Sequence, residues 1–153
     1  MEARNFAKIS GILFLAIGVM GFILGIVHAP MTQPDPPLVV DAGYGYLMGL
    51  FPVNILHNVV HLLVGIWGLT SARSFKGALV YSQGLAIFYS VLAVMGLVPV
   101  LSTNAGLIPI FGFDVLLHLV TAAIAAYYGF VAVPNVTEAV KEDRQFTAQA
   151  GNR

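Results

Sequence analysis

The chain has 153 residues, of which 58% are apolar and only 9% charged, with 7 basic and 7 acidic side chains and no cysteine. Soluble domains run at roughly 45–50% apolar with glycine counted, and about 25% charged, so an ordinary soluble enzyme and a disordered chain are both excluded. The balanced charge leaves no basic patch for nucleic acid, and the missing thiols remove disulfides and thiolate metal sites.

What remains is an integral membrane protein, and the length suits one domain. Ile9 to Val27 carries no charge and is long enough to cross about 30 Å of hydrocarbon at about 1.5 Å per residue. It reads as an uncleaved first helix, since Pro30 would directly follow a Val27-His28-Ala29 cleavage site. The segment from His28 to Tyr46 contains Pro30, Pro34, Pro36 and Pro37, so it is expected to be extended and to fold over the outer mouth. Further spans follow at 50–70, 77–101 and 109–133. A bilayer core has no water for free backbone groups, so each span should be helical. The fold expected is an all-α, up-down-up-down four-helix membrane bundle over residues 1–134. Residues 135–153 read as a tail, a short amphipathic or frayed helix that ends in disorder.

The basic residues set an orientation. Arg4, Lys8, Arg73, Lys76, Lys141, Arg144 and Arg153 all fall on one side of the four spans. The opposite loops carry only Asp35 and Asp41. By the positive-inside rule both termini face the cytoplasm, and an Asn-x-Thr sequon at Asn135 would escape glycosylation. Tyr44 and Tyr46 then fall near the outer interface, with Trp67, Tyr127 and Tyr128 near the inner one. Gly18, Gly21, Gly65 and Gly68 read as close-packing positions, and Gly21-x3-Gly25 as an internal contact or a dimer face. Tyr81, Gln83 and Tyr89 are expected to find partners on neighbouring helices, and the methionines to fill the core.

The starts of helices two and four repeat each other. Leu50-Phe51-Pro52 leads to His57 and His61, and Leu107-Ile108-Pro109 leads to Asp114 and His118, at a constant offset of 57 residues (Pro52 to Pro109). The pattern suggests a duplicated hairpin with a pseudo-twofold axis along the membrane normal. Proline suits the first helical turn, so both helices are expected to begin there. His57 and Asp114 would lie about 7 Å below the helix starts and His61 and His118 about 13 Å below. Residues four apart share a helix face, which gives two polar stripes in the outer half of the bundle. Asn54 and Asn58 extend the first stripe, and His28 is near its outer end.

Three readings of this cluster stand open. His57, His61, Asp114 and His118 suit a metal ion, zinc or iron, given their imidazole and carboxylate chemistry. His61 and His118, at matched depth on two helices, suit the axial positions of a haem. Alternatively the whole set, Asn54, Asn58 and His28 included, forms a structural hydrogen-bond network. The corresponding functions are a metal- or haem-binding protein, an accessory subunit packed in a larger membrane complex or a homo-oligomer, and a small transporter or proton conductor. For the last, helix two below His61 is apolar down to Thr70, which blocks a path within one protomer.

The stretch Phe51-Pro52-Val53-Asn54-Ile55-Leu56-His57-Asn58-Val59-Val60-His61-Leu62 resembles a signature of the domain-of-unknown-function 4383 family. The resemblance runs over about residues 5–133. It implies four spans, a bacterial membrane, either cytoplasmic or internal, and a polar residue-His pair in helix four, here Asp114 and His118. It implies no activity.

Overall fold

The computed structural model describes residues 3–29 and 35–133, with positions 137, 141, 144, 145 and 148 beyond them. Apart from those single positions, the expected tail of 135–153 lies outside the described residues, as do Asn135, Pro30 and Pro34. The helices are α1 (Ala3–Met20), α2 (Ile55–Ser71), α3 (Phe75–Leu97) and α4 (Phe113–Ala126), and α4 continues into a π-helical turn, Tyr127–Val131. α1, α3, and α4 with its π turn are long and apolar enough to cross a membrane, while α2 is apolar but shorter. The protein is thus an all-α membrane bundle of four helices.

Lipid offers no solvent-driven reason for helices to associate, so close backbone packing must do it. Ala7, Ala78, Ala93 and Ala125 are fully buried, whereas Leu13, Leu63, Ile87, Val94 and Leu116 are more than half exposed. The bundle therefore points small residues inward and large aliphatics outward. α1 packs along α2, and α3 along α4. A Cβ on Gly11 would sit 2.9 Å from the Leu69 amide nitrogen and 3.0 Å from the Gly65 carbonyl. A Cβ on Gly65 would sit 2.8 Å from the Leu15 nitrogen. Further along, Gly18 and Gly21 meet Leu62 and Asn58, so the two helices are antiparallel. Gly129 and Gly96 seat α4 and its preceding loop against α3 in the same way. Gly25, by contrast, has nothing within 4 Å of its Cβ position, so Gly21-x3-Gly25 is not an internal packing face of the bundle.

The helix bounds differ from the apolar spans for local reasons. α1 begins at Ala3, not Ile9, because Arg4 and Lys8 interrupt hydropathy without interrupting a helix; the Arg4 side chain reaches the Ala72 carbonyl (3.2 Å) at the same end of the bundle. It ends at Met20, not Val27, and the Gly21 carbonyl is taken by the Asn58 side chain (2.8 Å). α3 starts early because Ser74 caps it, accepting the Gly77 N–H (3.0 Å). Neither Pro52 nor Pro109 opens a helix. α2 starts at Ile55, behind an asparagine cap, and α4 starts at Phe113, after Gly112 takes a left-handed φ of 66°.

A small three-stranded antiparallel sheet, unforeseen from the sequence, closes one end of the bundle. It consists of β1 (Val27–His28), β2 (Gly45–Leu47) and β3 (Phe51–Val53), in the order β1-β2-β3. Pro52 is accommodated because β3 is an edge strand. The β2–β3 hairpin turns through the three residues 48–50, of which Met48 (φ 54°) and Gly49 (φ 74°) are left-handed. Beside it, Asp35 accepts hydrogen bonds from the Tyr44 and Tyr46 hydroxyls, each at 2.7 Å. Burial above all, and the Asp35 carboxylate after it, raise both phenols above the usual tyrosine range.

Glycine packing gives a direct test. Gly11→Ala and Gly65→Ala should each destabilise the protein by about 1–3 kcal/mol, because the clashing atoms are backbone and cannot move aside. Gly25→Ala should lie within about 0.5 kcal/mol of the parent. Unfolding in detergent, followed by circular dichroism, separates the three variants.

Candidate functional site

The site is built under the sheet, where α2 and α4 begin. Asn54 is fully buried and caps α2: its Oδ1 accepts the His57 N–H at 2.9 Å. Its Nδ2 donates to two carbonyls on different segments, Val40 (2.8 Å) and Leu107 (2.7 Å). Both ends of the side chain are therefore satisfied. The Val39 and Val40 N–H groups also donate to the Gly106 carbonyl, at 2.8 and 3.1 Å. The first loop is thereby strapped over the second, close to where α4 begins, as the proline-rich stretch suggested.

His57, one turn on, has its Nδ1 3.2 Å from the Pro52 carbonyl. That contact suits an Nδ1–H donor and leaves Nε2 facing α4. There Asp114, in the first turn of α4, places its Oδ2 3.8 Å from His57 Nε2 and 3.4 Å from His118 Nε2. Neither approach has hydrogen-bond geometry, and Oδ2 has no hydrogen-bond partner. The three side chains are buried, and one ligand atom from each lies within 4.8 Å of the other two. The offset repeat thus brings His57 and Asp114 face to face across the bundle, with His118 behind.

His61 is adjacent but outside that triad. Its ring lies between His57 (centroids 4.5 Å apart) and Phe14 of α1 (5.7 Å), and its Nδ1 has no partner. His118 meets the Tyr89 ring at 5.1 Å, edge to face, and its own Nδ1 is also unpartnered. Asn58 faces away toward α1, tied to Gly21, with its Oδ1 unsatisfied. His28 lies in β1 and is exposed. It is not part of the cluster, because the chain turns into the sheet at Gly21 and carries His28 out along it. Of the other polar groups on the helices, Gln83 donates to the Gly129 carbonyl (3.0 Å) and Ser10 to the Tyr81 hydroxyl (3.2 Å).

Three of the site residues open onto a cavity of about 350 Å³. His61, Asp114 and His118 line it at the sheet end, below Leu47 and Phe51. Its long walls are α1, with Phe14 and Ile17, and α4, with Leu117, Thr121 and Ile124. Phe14 and Tyr89 are parts of the site that the sequence did not mark: aromatics on apolar helices look alike whether they flank a histidine or lipid. The Val40 and Leu107 carbonyls left no sequence signal at all, being backbone.

The sequence profile of a family described as "Domain of unknown function (DUF4383)" matches residues 4–131. The chain belongs to that family, and the match covers all four helices with the π turn. No curated protein and no solved structure matches the chain.

Asn54 is the residue whose loss should be felt furthest. Asn54→Ala removes a helix cap and orphans two carbonyls, for a destabilisation on the order of 2–4 kcal/mol. Asn54→Asp keeps the cap acceptor but turns a carboxylate onto those carbonyls, and should be no better. Denaturant unfolding of both variants checks this. An Asn54→Ala protein as stable as the parent would mean that the strap over α4 is held by other groups.

Proposed function

We propose that this is a membrane metal-binding protein that holds a divalent ion, zinc or ferrous iron, on His57, Asp114 and His118. One observation carries the reading: two imidazoles and a carboxylate, buried and drawn from two helices, bring their ligand atoms within 4.8 Å of one another. Around a tetrahedral ion with bonds of roughly 2.0–2.1 Å, ligand atoms stand about 3.3 Å apart. The Asp114–His118 separation of 3.4 Å matches and the Asp114–His57 contact is 3.8 Å, while the set as a whole, spread over up to 4.8 Å, would have to draw in around the ion. Two histidines and one carboxylate with open positions are a familiar set for zinc and for non-haem iron. The Pro52 carbonyl beneath His57 is the outer partner that orients a metal-bound imidazole. His61 would stand beside the open position rather than in the ligand set.

The haem alternative has less behind it. It needs His61 and His118 turned toward a common iron, whereas His118 Nε2 is directed at Asp114 and the His61 ring is stacked between His57 and Phe14. The hydrogen-bonded reading fits Asn54, whose bonds are all made, but it leaves Asp114 Oδ2, a ligand in the metal reading, unpartnered.

We also propose that the chain sits in a bacterial membrane with both termini on the cytoplasmic side. The support is the charge distribution: Arg4, Lys8, Arg73 and Lys76 gather at the end away from the sheet, as the positive-inside rule asks.

Metal analysis of protein purified in detergent without chelator should give close to one zinc or iron per chain. His57→Ala, Asp114→Asn and His118→Ala should each lose most of it, and His61→Ala should retain it. Metal kept in all three ligand variants, or a haem absorption band lost in His61→Ala, would overturn the assignment. For orientation, the cysteine-free sequence allows single-cysteine variants. In intact cells a membrane-impermeant maleimide should label Asp41→Cys and leave Ser74→Cys unlabelled until the membrane is opened.

A further inference from the structure

The cavity beside the triad is not enclosed like a metal pocket. α1 packs on α2 and α3, and α4 packs on α3, but α1 and α4 face each other across the cavity. The residues along the cleft, from Asp114 to Ile124 on α4, span roughly 15 Å at about 1.5 Å per residue, so the space is long and parallel to the helices. Its walls are apolar, and its outer edges carry Leu13 and Ile124, which are 56% and 46% exposed on the lipid-facing surface. Leu13 and Ile124 open the cleft sideways toward the hydrocarbon, and Met48, exposed in the hairpin of the sheet, borders its sheet end. Only its sheet end is strongly polar, with His61 Nδ1, His118 Nδ1 and Asp114 Oδ2 all buried and unpartnered. Buried polar atoms are rarely left so in a finished structure.

We infer that the cleft between α1 and α4 binds a single-chain lipid with a neutral hydroxyl head, its head under the sheet against His61, Asp114 and His118. Each property of this occupant follows from the lining. A volume of about 350 Å³ is at the small end of ligand pockets, which suits one chain and not two. Among the described residues no lysine or arginine lines the cleft, and Asp114 stands at its polar end, so an anionic head meets no counter-charge from these side chains. A carboxylate oxygen only accepts hydrogen bonds, and a neutral imidazole offers one donor and one acceptor. A hydroxyl both donates and accepts, and so satisfies this set. The inference goes beyond the metal reading and is argued for the metal-free site, with which it shares Asp114 and His118.

The test is photolabelling in phosphatidylcholine vesicles with a hexadecanol that carries a diazirine in its chain. Expected is labelling of the α1 segment 10–17 and the α4 segment 117–124 at least five-fold above positions such as Ile66 and Val91, which are exposed on α2 and α3 away from the cleft. Thr121→Trp should fill the cleft and abolish the excess, and Ile17→Trp does the same from the opposite wall should the first variant fail to fold. Labelling spread evenly over all outward faces, or undiminished in a folded cleft-filled variant, overturns the inference. Equal labelling by the diazirine-bearing fatty acid or phosphatidylcholine overturns the head-group or single-chain assignment. The same experiment after chelation separates the two readings: site-selective labelling of metal-free protein supports the lipid cleft whatever the metal analysis gives.

Discussion

Everything at the sheet end hangs on the three hydrogen bonds of Asn54. In water the loops over a helical bundle tolerate poor anchoring, because solvent can take up their carbonyls. Near a membrane those carbonyls need protein partners, since an unsatisfied group there is costly. Asn54 meets this need with one side chain: it caps α2 and holds the Val40 and Leu107 carbonyls together. Through Val40 it fixes the first loop, and through Leu107 the approach to α4. The facing of His57 and Asp114 depends on both, because His57 is one turn from the cap and Asp114 is only a short loop from Leu107.

The bundle is deliberately uneven in its contacts. Glycines bring α1 against α2, and α4 with its flanks against α3, to backbone contact. Nothing comparable joins α1 to α4, and a cavity lies between them instead. Since helices in lipid associate through close packing rather than solvent exclusion, a seam without small residues is where a bundle opens. Here the seam opens beside the polar cluster. One physical rule thus accounts for both the two close-packed helix pairs and the cavity beside the buried histidines.

Much of this was legible in the sequence, and the misses share a cause. Hydropathy identified four apolar helices because lipid exposure demands aliphatic surfaces such as Leu63 and Val94. The spacing of Pro52, His57 and His61 against Pro109, Asp114 and His118 suggested matching depths on parallel helices, and the structure gathers His57, Asp114 and His118, with His61 beside them. The helix starts were misread because proline at a first turn is only one way to begin. Asn54, two residues on, is a better cap, and the edge of a sheet takes the proline. The sheet itself has two- and three-residue strands, too short for an alternating pattern to register. His28 was drawn toward the cluster on the assumption that α1 ran straight to it, and a turn at Gly21 undid that.

The distribution of satisfied and unsatisfied polar groups separates scaffold from site. Asn54, Ser10, Ser82, Gln83 and Thr70 all have partners, and each can be understood as helping the helices close. Asp114 Oδ2, His61 Nδ1 and His118 Nδ1 have none, and neither has Asn58 Oδ1 on the α1 side, although burial makes an unmet polar group expensive. If their role were structural, the cheaper solution would be apolar side chains of similar volume, which serve as well or better than buried ionic groups in many cores. A fold that meets every need at Asn54 leaves three of these atoms open a few ångströms away, at the polar end of the cavity, and that contrast is the physical ground for reading this end as a binding site.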